Sequence, residues 1–214
     1  DARSCEALRE TARRLRDGIA HTTSAAIPEI AGVDPLDPLD TGVDWRMPRL
    51  PARDDRFTVV ATVPHPQNTD DPTTVLAKRF HFLLMSTEVP TIEHCARLIV
   101  IARGLRPWDF VRDMGRQIFD EVRHAQACIL EVRRAGAKVG SFPVELNLWV
   151  ATRDASVDLS LTIHQQIGER IGVDAAAWGC SDAGCGALGP RITAVFNFIL
   201  CDEVAHVRYG NRWV

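Results

Sequence analysis

No run of apolar residues approaches the ~18 that a membrane-spanning helix requires, so no membrane partner is expected. No C-x-x-C pair occurs among Cys5, Cys95, Cys128, Cys180, Cys185 and Cys201. Cys95, Cys128 and Cys201 fall inside predicted helices, where cysteines are usually buried and reduced, and the chain reads as a reducing, cytoplasmic protein. Cys180 and Cys185 fall in a Gly-rich stretch read as a loop carrying two free thiols. No Gly-rich phosphate loop, dinucleotide fingerprint or Ser-His-Asp arrangement is present. A net charge of −3 with a pI near 6.2 gives no electrostatic argument for nucleic acid. No signal peptide precedes the predicted fold, and the lack of an initial Met, with helical periodicity running to Val214, reads as a piece of a longer chain.

With 214 residues, 46% of them hydrophobic, the chain can bury one full core with an accessory segment. Residues 1–73 read as an N-terminal helix over 3–20 followed by a Pro-rich wrapping arm. Pro28, Pro35, Pro38, Pro48, Pro51, Pro64 and Pro66 forbid a long helix there, leaving at most a short strand at Phe57–Val63. Trp45, Phe57, Val59 and Val60 are its expected apolar anchors. Residues 74–214 read as four long helices in an antiparallel bundle. The first runs from Pro72 or Thr73 to Arg103 with a kink at Pro90, and the second from Pro107 to a stop at Gly136. The third covers roughly Ser156–Ile171, and the fourth starts at Gly189-Pro190, after a loop over 172–189.

What is present outweighs what is missing. DEVRH (Asp120–His124) and DEVAH (Asp202–His206) repeat one five-residue pattern, of which random order would yield roughly 0.03 copies. In a helix each Glu and the His three residues on share a side, and both pairs sit in apolar rows. The row of the second helix is Phe110, Met114, Ile118, Glu121, Ala125, Cys128 and Val132; that of the fourth is Ile192, Phe196, Ile199, Glu203, Val207 and Gly210. A carboxylate in an apolar row is expensive unless something neutralises it.

Each of the other two helices should then supply one carboxylate level with these. Glu88 precedes Glu121 by 33 residues and Glu169 precedes Glu203 by 34. Glu169 is the only Glu between residues 146 and 202, although it stands about 80° around an ideal helix from Leu161. On the first helix Glu93 competes with Glu88, which is favoured by the symmetry of the halves. Four carboxylates with two imidazoles suit iron or manganese better than zinc or calcium. Such a set holds two ions, Fe first, with Mn or a mixed pair as the other choice. Asp120 and Asp202, one residue before each Glu, are placed to accept from the opposing His ring; the competing use is a salt bridge to Arg116 or Arg123.

The stretches RPWDFVRDMGRQIFDEVRHAQ, GSFPVELNLW and CDEVAHVRYGNRW resemble an uncharacterised branch of the ferritin-like di-iron carboxylate superfamily, allied to the di-iron monooxygenase that hydroxylates a modified tRNA base. The resemblance covers roughly residues 75–214 and implies metal ligation by Glu88, Glu121, His124, Glu169, Glu203 and His206. Members often carry His two residues before the first Glu and Gln two after it; this chain has Ser86 and Pro90.

The expected function is a non-haem di-iron oxidase or monooxygenase that uses O2 to oxidise a small or tethered organic substrate, with an external electron donor and a homo-oligomer left open. The alternative is a ferroxidase or iron-handling protein. His81 and Cys95, two turns either side of Glu88, are expected in the core or along an access channel, His164 in the core, and Tyr209, the only tyrosine, packed beside Trp213. Arg112, Arg116 and Arg123 interleave with Asp109, Asp113 and Asp120 as a self-neutralising face.

Overall fold

A computed structural model describes residues 47–64, 70–181 and 188–214. The chain divides into two compact units, Asp1–Val43 and Asp44–Val214, and every described residue belongs to the second. The expected helix over 3–20, Trp45, Pro66 and Cys185 lie outside the described residues.

The fold is all-α: α1 (Pro72–Phe82), α2 (Val89–Ile101), α3 (Trp108–Arg134), α4 (Asn147–Thr152), α5 (Val157–Leu161), α6 (Glu169–Cys180) and α7 (Pro190–Trp213). A π-helical stretch, Leu83–Glu88, joins α1 to α2, and a second, Thr162–Gly168, joins α5 to α6. At the start of α1 the Asp71 carboxylate accepts from the Thr73 and Thr74 N–H groups, with Pro72 in the first turn, where its missing N–H costs nothing. Helix α3 ends before Gly136, whose φ of +77° is the left-handed conformation that closes helices.

Two corrections concern helix ends. The third long helix does not stop at Ile171 but continues to Cys180, so Cys180 closes a helix instead of lying in a loop. Gly172 is absorbed inside it, next to the strong helix formers Ala175–Ala177. The first ends at Ile101, two residues short of Arg103. Pro90 is accommodated by the π-helical stretch just before it. Val89 donates five residues back to Leu84 O, so the ladder has slipped by one residue where proline has no N–H to give.

The arm contributes no named strand among the described residues. The expected strand at Phe57–Val63 reduces to one parallel bridge between Val59 and Val144, flanked by Val60 N–H to Val144 O (2.9 Å) and Val144 N–H to Thr58 O (2.9 Å). Phe57 packs on the core, whereas Val59 is exposed. Trp149 Nε1 donates to Arg49 O, which ties Met47–Pro64 to α4.

Helices α1 and α2 run opposite to α3, because Phe80, Leu84 and Met85 cluster with Ala125, Cys128 and Val132, while Cys95, Leu98 and Ala102 cluster with Phe110 and Met114. Helices α6 and α7 form a second antiparallel pair, joined by Arg170 to Asn211 at one end and Cys180 to Asn197 at the other. The two apolar clusters leave a layer between them on every long helix. On α3 it holds Gln117, Asp120, Glu121 and His124, on the first helix Glu88, and on α7 Glu203 and His206, all buried. Ile118 is only partly buried, and Cys201 is exposed, contrary to the expectation for both.

Close packing of α7 on the second π-helical stretch depends on Gly210. A Cβ there would lie 2.7 Å from Gln165 O and 2.9 Å from Gln165 C, both backbone atoms that cannot swing away. Gly210→Ala is therefore expected to lower Tm by roughly 5 °C, as over-packing by one methyl does in a domain of this size. Gly115→Ala, on α3 with nothing within 4 Å of its added Cβ, should not. Differential scanning calorimetry of the two variants checks the contrast.

Candidate metal centre

Both π-helical stretches end on a carboxylate of the buried layer: Glu88 is the last residue of the first, and Glu169 directly follows the second. Each π turn takes in one more residue than an α turn, which rotates everything after it. That rotation carries Glu169 back from its 80° offset and turns it inward. Glu169 N–H donates to His164 O, five residues back, and Gly168 between them is required because a Cβ there would come 2.9 Å from the His164 ring.

Two groups of ligand atoms, each lying within 4.8 Å of one another, could hold a metal ion: Glu88, Glu121, His124 and Glu203, and Glu121, Glu169, Glu203 and His206. All six residues are buried, and Glu121 and Glu203 belong to both groups. The imidazoles point inward through Nδ1. His124 Nδ1 is 3.2 Å from Glu121 Oε2, 3.4 Å from Glu88 Oε2 and 3.7 Å from Glu203 Oε1. His206 Nδ1 is 3.2 Å from Glu121 Oε1, 3.2 Å from Glu203 Oε2 and 3.6 Å from Glu169 Oε2. The two ring centroids are 6.1 Å apart.

The outer ring nitrogens face the crossed aspartates: His124 Nε2 lies 3.2 Å from Asp202 Oδ2, and His206 Nε2 3.7 Å from Asp120 Oδ2. The salt bridges that competed for these aspartates form as well. Arg116 Nε donates to Asp120 Oδ2 at 2.9 Å, and Arg123 reaches Asp120 at 2.5 Å and Asp202 at 2.7 Å. One arginine thus bridges the two repeats, tying together the two carboxylates that face the outer nitrogens of the histidines. Glu93 takes no part in either group; Arg53 grips it with two bonds of 2.6 and 2.9 Å.

The electrostatics fit a donor set that expects cations. Burial pushes the Glu88 carboxyl well above the ordinary range, with the Glu121 charge adding to it, and carries Glu203, beside Glu169, up to about 8. Burial alone would lower the imidazoles, yet hydrogen bonding to Glu121 and Glu88 carries His124 up to about 11, and Asp120 with Glu121 raises His206 as well. Protons are recruited where carboxylates crowd together; divalent cations would do the same work. The donors match the borderline, oxygen-rich set that iron and manganese accept.

Three residues had no signal of their own in the sequence. Gln117, fully buried on α3, donates through Nε2 to Glu169 Oε1 (2.6 Å), and Gln165 Nε2 donates to Gln117 Oε1 (2.7 Å). This relay fixes the amide orientation and holds Glu169 in place across the two helical pairs. His94 packs edge-on against His164 at 4.8 Å and bonds Thr152 Oγ1 at 3.1 Å; burial keeps both imidazoles neutral, with His164 near 4. His164 Nε2 stands 3.2 Å from Glu169 Oε1.

The remaining residues fall into place around this layer. His81 is buried, accepts from Gly140 N–H at 3.0 Å and meets Phe142 edge-on. Tyr209 stacks on His206 and packs with Trp213 on the second apolar cluster. Arg112 pairs with Asp109 and Arg212 with Asp113, which neutralises that face of α3.

A cavity of about 900 Å³ opens beside the layer, lined by Glu88, Glu121, Glu169 and Glu203 at one end and largely by apolar side chains elsewhere. Among the described residues no helix is long and apolar enough to cross a membrane. Neither the curated proteins nor the solved structures contain a match to this chain. A family model described as "Protein of unknown function (DUF455)" matches residues 3–214, nearly the whole sequence, and the chain therefore belongs to the DUF455 family.

Proposed function

We propose that the chain is a ferritin-like four-helix bundle whose two overlapping ligand groups hold a pair of iron ions, and that it oxidises an organic substrate with O2. The resemblance of DEVRH and DEVAH to the ferritin-like di-iron proteins supports the metal pair, and Mn or a mixed pair fits the same donors. When bound, an iron pair would supply the redox chemistry of O2 activation; net insertion of one oxygen atom into a C–H bond consumes one O2, two electrons from an external reductant and two protons, and releases water.

The chain's own residues bind, orient and shield. Glu121 and Glu203 are shared between the groups, Glu88 and Glu169 serve one each, and the crossed aspartates set which imidazole nitrogen faces inward. The apolar clusters above and below exclude water from the layer. The observation that carries the oxidase reading over iron storage is the cavity, since four candidate ligands form part of its wall. An organic molecule of drug size fits such a volume, whereas Fe(II) alone has no use for it.

The test is anaerobic loading with Fe(II), metal analysis, then an O2 pulse followed with an oxygen electrode. Binding of about two irons per chain and one prompt phase of O2 uptake is expected. Uptake that resumes with every further addition of Fe(II), with mineral retained, would establish the ferroxidase alternative. No uptake by fully loaded protein would leave a structural role.

A further inference from the structure

His81, on α1, has one ring nitrogen in use and one idle. Its imidazole is 1% exposed and forms part of the cavity wall, seven residues, or roughly 10 Å of helix, before Glu88. Gly140 N–H donates to Nε2 at 3.0 Å. An N–H can meet only a lone pair, so Nε2 carries no hydrogen and the proton of the neutral ring sits on Nδ1. The turn that presents this N–H is fixed, because Gly140 has a φ of +93° and a Cβ there would lie 2.8 Å from Arg56 O. Burial holds the imidazole below the ordinary histidine range, which keeps it neutral and in this one tautomer. Among the described residues nothing accepts from Nδ1. Nor is that atom one of those sealed in the core without a partner, so the space it borders is the cavity.

Resting on the oxidase reading, we infer that His81 is a substrate-binding residue, its Nδ1–H donating to a carbonyl, ether or hydroxyl oxygen of an uncharged, largely apolar molecule whose far end lies at the carboxylate layer. The surroundings disfavour a charged group. The cations of the wall are engaged, Lys78 with Asp70 at 2.7 Å and Arg79 over the Trp178 ring, and four carboxylates against two divalent ions leave the layer no spare positive charge. A neutral oxygen needs no counter-charge, and it satisfies a buried donor that otherwise has no acceptor. Phe80, Leu83, Phe142, Phe196 and Ile199 line the same cavity and take the apolar body. Phe142 also stands edge-on to the His81 ring, with centroids 5.4 Å apart, and so helps fix the direction of the N–H. One directional bond about two helical turns from the layer decides which carbon is presented to it.

Isothermal titration of the anaerobic protein with its metals bound, using the isomers methyl octyl ketone and butyl pentyl ketone and the anion decanoate, tests this. The ketones match in size and polarity and differ in where the oxygen sits. Only methyl octyl ketone carries an unbroken alkyl chain about as long as two helical turns, and it should bind about tenfold more tightly than its isomer and more tightly than decanoate. The amide oxygen of Gln can stand where Nε2 stands in His, whereas the amide nitrogen of Asn can stand near Nδ1. His81→Gln should therefore keep the Gly140 bond and the Tm but erase the preference between the ketones, while His81→Asn should lower Tm and keep the preference. A purely structural histidine would leave the two ketones alike in all three proteins. Equal affinities in the wild type, tighter binding of decanoate, or a preference undiminished in His81→Gln overturns the inference. Metal content and O2 uptake of the same preparation separate the two failures. Protein that holds metal and consumes O2 but binds neither ketone sinks this inference alone, whereas protein that holds no metal sinks the oxidase reading beneath it.

Discussion

Replacing Glu121 or Glu203 by alanine is expected to empty both metal positions, whereas replacing Glu88 or Glu169 should empty one. The asymmetry comes from geometry: Glu121 and Glu203 contribute an atom to each of the two ligand groups, while Glu88 and His124 serve only one and Glu169 and His206 only the other. On the proposed ion pair, loss of a shared carboxylate would take a donor from both groups and the negative charge that would screen one cation from the other. Loss of an unshared one leaves the second group intact. After dialysis against a weak chelator, E121A and E203A should retain less than about a tenth of the wild-type metal and E88A about half, because even outer-sphere substitutions cost 10–100-fold in affinity. Asp120→Asn and Asp202→Asn should fall between, each weakening the His opposite and not the one on its own helix. Equal losses for all six ligand variants would mean a single shared ion instead of a pair. Far-UV circular dichroism should stay helical throughout, since none of these substitutions touches the apolar clusters on either side of the layer.

Which parts of this centre could be read from the sequence follows from what helical periodicity encodes. Glu121 with His124, and Glu203 with His206, are visible because i and i+3 share a face in an α-helix, and Phe110, Met114, Cys128 and Val132 mark that face as inward. The symmetric spacing of Glu88 and Glu169 placed them without geometry. Glu169 looked misdirected because 100° per residue assumes an unbroken α-helix, and the π turn over Thr162–Gly168 breaks that assumption. Nothing in the composition of TIHQQIG announces such a turn; only Pro90 and Gly168 hint at the two, after the fact. The Gln165–Gln117 relay was hidden for another reason: a glutamine facing a core and one facing water look alike until a partner on another helix is known. Cys201 was legible and misread. Two residues before Glu203, it stands about 200° around the helix from the inward face, where exposure is the simpler expectation.

Metal-free and metal-loaded protein should respond to pH in opposite directions. In the folded, metal-free chain Glu203 titrates at about 8, against 4.5 for an ordinary glutamate, and His124 at about 11, against 6.5 for an ordinary histidine. Glu88 and His206 are shifted upward too. A group that holds its proton more tightly folded than unfolded stabilises the fold fully below its unfolded pKa and loses that contribution as pH rises through the folded value. The Glu203 contribution therefore declines between about pH 4.5 and 8, and that of His124 from about 6.5 upward. Glu121 and Asp120 are shifted downward, so their opposing contribution changes only in acid, outside this range. His94 and His164, held neutral by burial, work the other way and gain as pH rises to about 6.5, so it is above that value that the stripped protein should lose Tm steadily up to pH 8.5. Metal ligation requires the deprotonated forms of these same side chains, so each ion displaces protons and binds more tightly as pH rises. At free metal a thousandfold above Kd the gain is about 4 kcal/mol, or roughly 10 °C for a chain of this length. Thermal melts at pH 6 and 8.5, with chelator or with excess Mn(II) to avoid oxidation, should show the gap between the two curves widening with pH. Parallel curves would mean that the histidines and Glu203 keep their protons when metal is added, and that the ions bind somewhere other than between the two repeats.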